Sequence, residues 1–183
     1  MMRVTGGSLR SRHVHAPRGR AVRPTPGRVR EALFSILGAS VADARVLDLF
    51  AGSGAVGFEA LSRGASGVTF VEAHRPTAAA IRDAARSFDV EARAEVIALP
   101  AERAAGLLTG RYDIVFADPP YAQGVPRDVL AALADAGRID ERSIVIYEHA
   151  ARAGAPELAG FTVTRTERYG DVALSFLRVD GQR

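Results

Sequence analysis

Asp118-Pro119-Pro120-Tyr121 places an acceptor, two rigid backbone units and an aromatic ring in succession, directly after an apolar run at 112–117. The exocyclic amino group of a nucleobase is a poor nucleophile, because its lone pair is delocalised into the ring. A carboxylate accepting one of its N–H bonds and a backbone carbonyl accepting the other would draw the nitrogen toward tetrahedral geometry. The lone pair then points at an electrophilic carbon. Prolines hold the carbonyl in place and offer no competing N–H, and an aromatic ring stacks on a base. Asp118, Pro119, Pro120 and Tyr121 are therefore the expected catalytic group, acting by positioning and electrostatics. The target amino group is out of reach inside a stacked duplex, so the base must be single-stranded or flipped out. Taken alone, the four residues also suit a proline turn capping a strand.

A second feature lies upstream. The apolar run 46–50 leads into Ala51-Gly52-Ser53-Gly54-Ala55-Val56-Gly57, which matches GxGxxG, and Glu72 follows 20 residues after Gly52. Glycines there let backbone approach a ligand, and the carboxylate suits ribose hydroxyls, so a dinucleotide site is available. Two observations favour S-adenosylmethionine instead. Asp48 precedes the loop, where it suits a cationic amino group and would repel a pyrophosphate. Nothing downstream resembles a hydride-transfer site. The plainer reading of Asp48 is a helix or loop cap.

Elements of matching kind must position these residues. Thr25 as N-cap and Pro26 at the first helical position open a helix. Val29, Ala32, Leu33, Ile36 and Leu37 form its apolar face, and Gly38 ends it. Strands are expected at 46–50, 68–71, 95–98, 112–117, 143–147, 161–165 and 172–179. Helices are expected at 55–63, 76–88, 101–108 and 126–136. Strands alternating with helices mean a mostly parallel sheet covered on both faces. The last two strands have no helix between them, so a hairpin through Tyr169-Gly170-Asp171 ends the sheet antiparallel. The segment after the strand at 112–117 should then lie against the glycine loop. Residues 2–15 suggest two short strands around Gly6-Gly7.

Composition narrows the class. A chain of 183 residues with 48% hydrophobic and 25% charged residues is globular, neither disordered nor fibrous. No apolar run is long enough to span a membrane, and MMRVTGGSLRSRHVH lacks the apolar core of a secretory signal. With no Cys, disulfides and thiolate sites are excluded, and the cytoplasm is the expected compartment. No residue pattern offers a metal site, since His13 and His15 lie in the basic N-terminal segment. All 24 cations are Arg; residues 1–30 hold eight of them and no acid, while residues 31–183 hold 16 against 21 acids. Residues 1–24 thus read as a cationic arm on a mildly acidic domain of residues 25–183. Arginine forks match phosphate oxygens in pairs, so a nucleic-acid backbone is the natural partner; a solvated tail is the alternative.

These motifs together resemble the bacterial 16S rRNA guanine-N2 methyltransferase family (RsmD-like). The similarity runs through Arg3-Val4-Thr5-Gly6-Gly7, Arg23-Pro24-Thr25, Arg28-Val29-Arg30-Glu31-Ala32-Leu33-Phe34, residues 47–57 and Glu59-Ala60-Leu61-Ser62-Arg63-Gly64-Ala65. It covers nearly the whole chain, in order. The resemblance implies a Rossmann-like class I methyltransferase fold with a seven-stranded, mostly parallel sheet and a small N-terminal β-hairpin arm. It implies S-adenosylmethionine as cofactor, and 16S rRNA as partner, within a small-subunit assembly particle. A monomer without metal is expected. By motif, Asp118 and Pro119 hold the amino group and Tyr121 faces the base. Asp48, Phe50, Ala51, Gly52, Ser53, Gly54 and Glu72 hold the cofactor. Arg10, Arg12, Arg18, Arg20, Arg23, Thr25, Arg28 and Arg30 track the RNA.

The chain departs from the family pattern in places. Gly27 stands where an acid is common, and Asp83 where an Asn is common. The turn after the third strand of the sheet reads Leu99-Pro100-Ala101-Glu102. The adenine contact is then the backbone N–H of Ala101, or Glu102, or neither. Phe34 is off the main helical stripe and either lines the site of the target base or is partly buried. Tyr147-Glu148 reads as structural, capping a strand end. Three other functions fit some of the features. A DNA adenine-N6 or cytosine-N4 methyltransferase would share the loop and Asp118–Tyr121 but lacks a target-recognition domain here. A non-catalytic RNA-binding assembly factor and a nicotinamide oxidoreductase are the others.

Overall fold

The structure is a computed structural model, and it describes residues 2–14, 26–120, 124 and 126–181. Seven strands form one sheet: β3 (Arg45–Leu49), β4 (Gly67–Val71), β5 (Ala94–Ile97), β6 (Ile114–Ala117), β7 (Ile144–Ala150), β8 (Phe161–Tyr169) and β9 (Val172–Val179). Their order is β5-β4-β3-β6-β7-β9-β8. The five strands from β5 to β7 are parallel, and β9 and β8 close the edge antiparallel. Strand order reverses beside β3, which pairs with both β4 and β6. In a sheet of this kind, that reversal opens a crevice beyond the strand carboxyl ends.

The central strands are buried on both faces and carry continuous apolar residues. Helices α1 (Gly27–Leu37), α2 (Ala55–Ser62) and α3 (Arg75–Ser87) cover one face, packing Leu33, Phe58 and Ile81 with Val46, Phe70, Phe116 and Ile146. Helices α4 (Ala101–Ala104) and α5 (Arg127–Asp135) cover the other, packing Ala104, Leu130 and Leu133 with Leu47, Leu49, Val115 and Val145. The mostly parallel, antiparallel-ended sheet expected from the sequence is the sheet observed. Among the described residues, no helix is long and apolar enough to cross a membrane.

Two local expectations change. Helix α1 begins at Gly27, with Pro26 rather than Thr25 in the N-cap place: the Pro26 carbonyl accepts from the N–H groups of Val29 and Arg30. Thr25 itself lies outside the described residues. The N-terminal strands β1 (Met2–Arg3) and β2 (His13–Val14) have two residues each and pair across a long loop, not around a tight Gly6-Gly7 turn. That loop leans on α2 instead. The N–H of Ser8 donates to the Ser62 carbonyl at 2.8 Å, and Val4, Leu9 and Val14 are buried in the same cluster as α1 and α2. A side chain at Gly7, whose φ is +73°, would meet that Ser62 carbonyl, so the close approach requires glycine there.

Candidate active site

The glycine loop links β3 to α2 and is built from left-handed backbone. Phe50, Gly52 and Gly54 have φ of 63°, 55° and 78°. Glycine adopts that region without strain; Phe50 does so at a cost, a feature that concentrates at functional sites. The loop is tied down on all sides. Ala51 donates its N–H to the Val71 carbonyl, Gly52 to Glu72 Oε2 at 2.9 Å, and Gly54 to the Ala51 carbonyl. Gly57 is needed for contact rather than for its dihedrals, since a Cβ there would sit 2.1 Å from the Phe70 ring. The third glycine of the motif thus lets α2 press against β4.

Helix α2 starts after Gly54, which has no side chain to cap it. Asp48, nine residues before Gly57 and 2% exposed, does so instead: its Oδ2 accepts from the Gly57 N–H at 3.0 Å. A carboxylate is favoured there by the helix dipole. The capping role is therefore real, and it leaves Oδ1 for another partner. Glu72 bridges two loops in the same way, accepting from Gly52 through Oε2 and from the His74 N–H through Oε1 at 2.7 Å. His74 is the N-cap of α3, so one carboxylate sets both the glycine loop and the next helix.

Asp118 follows β6 directly, half-buried; Pro119 is buried and Pro120 exposed. Since β3 and β6 are hydrogen-bonded neighbours, with Leu49 opposite Ala117, Asp118 lies beside the start of the glycine loop. The two sequence features thus meet at the crevice. Together with Glu148 in β7, four acids stand near the carboxyl-end side of four adjacent strands: Glu72 just after β4, Asp48 late in β3, Asp118 just after β6 and Glu148 level with it. Burial pushes the Asp48 carboxyl well above its ordinary range; the Gly57 hydrogen bond opposes this, while the charges of Asp118 and Glu72 add to it. Asp118 is pushed up to about 8, by burial first and the Glu148 charge second. A cation among these groups would relieve their repulsion, whereas a pyrophosphate would aggravate it. Among the described residues, no three His, Asp or Glu side chains converge as a metal site.

The remaining expected residues are placed unevenly. Phe50 and Ala51 are half-buried; Ser53 is buried beside them. Ala101 opens α4 and is buried, and Glu102 in the same turn is exposed. Asp83 pairs with Arg86 on the outer face of α3. Arg10, Arg12 and Arg28 are exposed, and the Arg12 guanidinium lies over the Phe88 ring at 5.9 Å. Phe88 follows the end of α3, so Arg12 stands at the end of the sheet opposite the crevice. Arg18, Arg20, Arg23, Thr25 and Tyr121 lie outside the described residues.

Two expectations are corrected. Arg30 is 2% exposed and cannot track phosphates from there. Its Nε donates to Glu59 Oε2 at 3.4 Å and its Nη2 to the Arg3 carbonyl at 2.6 Å. Phe34 is likewise core, 3% exposed, with the Arg63 guanidinium 5.2 Å from its ring centroid, so it does not line a base pocket. Around Arg30 lies a group that charge counting missed. Fully buried Glu59 also accepts from the Thr5 N–H and Oγ1 at 2.8 Å each, from the Gly6 N–H, and from Arg63. Its position in the middle of an otherwise apolar helical stretch was the available signal.

Comparison with known proteins agrees with this fold. Residues 2–178 match the family described as conserved hypothetical protein 95. Ribosomal RNA small subunit methyltransferase D of Escherichia coli is 32% identical over 182 residues, covering 99% of this chain and 91% of that protein. The solved structure of the Escherichia coli protein yhhF superposes with a TM-score of 0.88 at 31% identity, covering 99% of each chain. At the level of fold alone, SMU.776, crystallised with S-adenosylhomocysteine, gives a TM-score of 0.63 at 17% identity, over 83% of this chain and 48% of that one.

Proposed function

The chain belongs to the conserved hypothetical protein 95 family, and on that premise we propose that it is an S-adenosylmethionine-dependent methyltransferase acting on the exocyclic N2 amino group of a guanine in 16S rRNA. The observation that carries the reading is the meeting of Asp118-Pro119 with the Asp48–Gly57 loop across the β3–β6 crevice.

The residues fit a cationic, ribose-bearing cofactor. Asp48, Glu72, Asp118 and Glu148 offer only acidic groups, and the glycine loop places backbone without side chains at a helix N-terminus. When bound, the cofactor supplies an electrophilic methyl carbon. Asp48 orients the cationic amino group through the oxygen not used by Gly57, and Glu72 accepts from ribose hydroxyls while bracing Gly52. Asp118 accepts one N–H of the guanine amino group, and the carbonyl of rigid Pro119 accepts the other. Tyr121 stacks on the base. The Ala101 backbone N–H, at the start of α4, is the adenine contact. The enzyme works in the cytoplasm as a monomer on a small-subunit assembly particle, which presents the base unpaired. Arg10, Arg12, Arg18, Arg20, Arg23 and Arg28 hold its RNA backbone.

Equilibrium dialysis with labelled S-adenosylmethionine and labelled NAD tests the cofactor assignment. Retention of S-adenosylmethionine alone is expected; retention of NAD alone would replace this reading with a hydride-transfer one.

A further inference from the structure

Glu148 reads from sequence as a strand cap, yet the sheet register gives it a different neighbour. Ala117 and Tyr147 are Cα partners in the parallel β6–β7 ladder, so the next residues, Asp118 and Glu148, stand side by side. Neighbouring strands lie about 4.8 Å apart. Glu148 is 3% exposed, and its opposite neighbour on β9 is Leu174. Bulk water therefore does not separate the two carboxyls. Among the described residues, Asp48 on β3 also feels the charges of Asp118 and of Glu72 after β4, both acids. Tyr147 and His149 stack on each other on the alternate face of β7, where His149 bonds to Ser175 of β9.

We propose that Glu148 is a positioning residue acting through Asp118, the two side-by-side carboxyls serving as a single proton acceptor for the methyl transfer. The inference rests on the methyl-transfer reading. In that reaction the guanine N2 forms a bond to the methyl carbon as the carbon–sulfur bond breaks. The electron pair of the broken bond stays on sulfur and cancels its charge. The nitrogen is left with one proton too many, and Asp118, already holding an N–H, receives it. Two carboxyls at this separation bind a proton more tightly than either would alone. The Glu148 charge is the second cause, after burial, of the raised proton affinity of Asp118. The pair thus retains the proton, with Glu148 on its buried side.

The test is the pH profile of kcat/KM for methyl transfer to unmodified small ribosomal particles, which reports groups titrating in the free enzyme. In the wild type the acid limb follows the pair. Glu148→Gln should move it toward lower pH by about one unit or more, because the neighbouring charge is gone. Glu148→Asp should leave it near the wild-type position. A Glu148→Gln profile lowered at every pH with its limb unmoved would overturn the inference and leave a purely structural residue. If the wild type transfers no methyl group at any pH, the underlying reading fails first. Should Glu148→Gln not fold, infrared titration of the Asp48→Asn variant, which removes the other raised carboxyl, decides: a protonated carboxyl band persisting above about pH 6 is expected, and its absence there overturns the pairing.

Discussion

The Asp48 carboxylate, buried at the end of β3, accepts a hydrogen bond from the Gly57 backbone N–H at 3.0 Å. One side chain thereby closes the loop it precedes and caps the helix that follows. The helix N-terminus favours the charged form, and burial opposes it. Because the carboxylate has a second oxygen, capping and ligand binding do not compete.

That double role can be split by substitution. Asp48→Ala removes both functions, and should cost about 1 kcal/mol of stability through the lost cap. It should also weaken S-adenosylmethionine binding about tenfold or more. Asp48→Asn keeps an acceptor for Gly57 and should recover the stability but not the affinity. Denaturant unfolding and isothermal calorimetry measure the two. Recovery of both by Asn would show that the charge is not used.

Asp118→Ala should lower kcat by about a hundredfold or more, as when a charge-stabilising group is lost. At about pH 6, where Asp118 is already protonated, cofactor affinity should stay near that of the wild type, since there the side chain serves only the nucleophile. A large loss of affinity with kcat intact would put Asp118 on the cofactor instead.

Binding should also depend on pH. Asp118 is pushed up to about 8, so it is largely protonated at neutral pH before a ligand arrives. A cation favours the ionised carboxylate, so the cofactor should bind more tightly as pH rises from about 6 to 8, with protons released. Calorimetry in buffers of different ionisation heat reads the proton count. A pH-independent affinity with no proton release would contradict the acid-lined site.

Much of the site was legible because its residue types are demanding. Left-handed turns and close packing ask for Gly52, Gly54 and Gly57, and the β–α alternation places such a loop at a strand's carboxyl end. The parallel sheet followed from continuous apolar strands such as 114–117. Register was not legible. Nothing local to Tyr147-Glu148 says that β7 aligns Glu148 with Asp118, so a site neighbour read as a cap. Charge was legible only as a count. Arg30 and Arg28 look alike in the basic first 30 residues, but α1 turns one onto Glu59 and the other outward. The apolar setting of α2 around Glu59 held the hint that a cation must be buried with it.

The difference between those arginines is measurable. Breaking a buried pair costs about 3 kcal/mol or more, so Arg30→Ala should destabilise the fold. It should leave the salt slope of RNA binding unchanged. Arg10→Ala, Arg12→Ala and Arg28→Ala should each flatten that slope by roughly 0.7–1 and barely affect stability. A slope change with Arg30→Ala alone would reverse the assignment.

Glu59 gives the hairpin its own pH signature. Burial works to raise its proton affinity, but hydrogen bonds from Thr5 and Arg63 outweigh it, so the folded-state value is lowered. A depressed carboxyl contributes stability above its unfolded value and loses it as pH falls through the folded one. The contacts of Thr5 and Gly6 with α2 should therefore release in acid, below about pH 4. Hydrogen exchange at the Thr5 and Gly6 amides follows this; protection unchanged down to global acid unfolding would contradict it.

The central claim is tested most directly by methyl transfer from labelled S-adenosylmethionine to unmodified small ribosomal particles, naked 16S rRNA and DNA, with mass spectrometry of the digested nucleosides. The account predicts N2-methylguanosine from the ribosomal RNA and none of it when Asp118 is replaced by Ala. Methyladenine or methylcytosine from DNA, with the ribosomal RNA untouched, would contradict it.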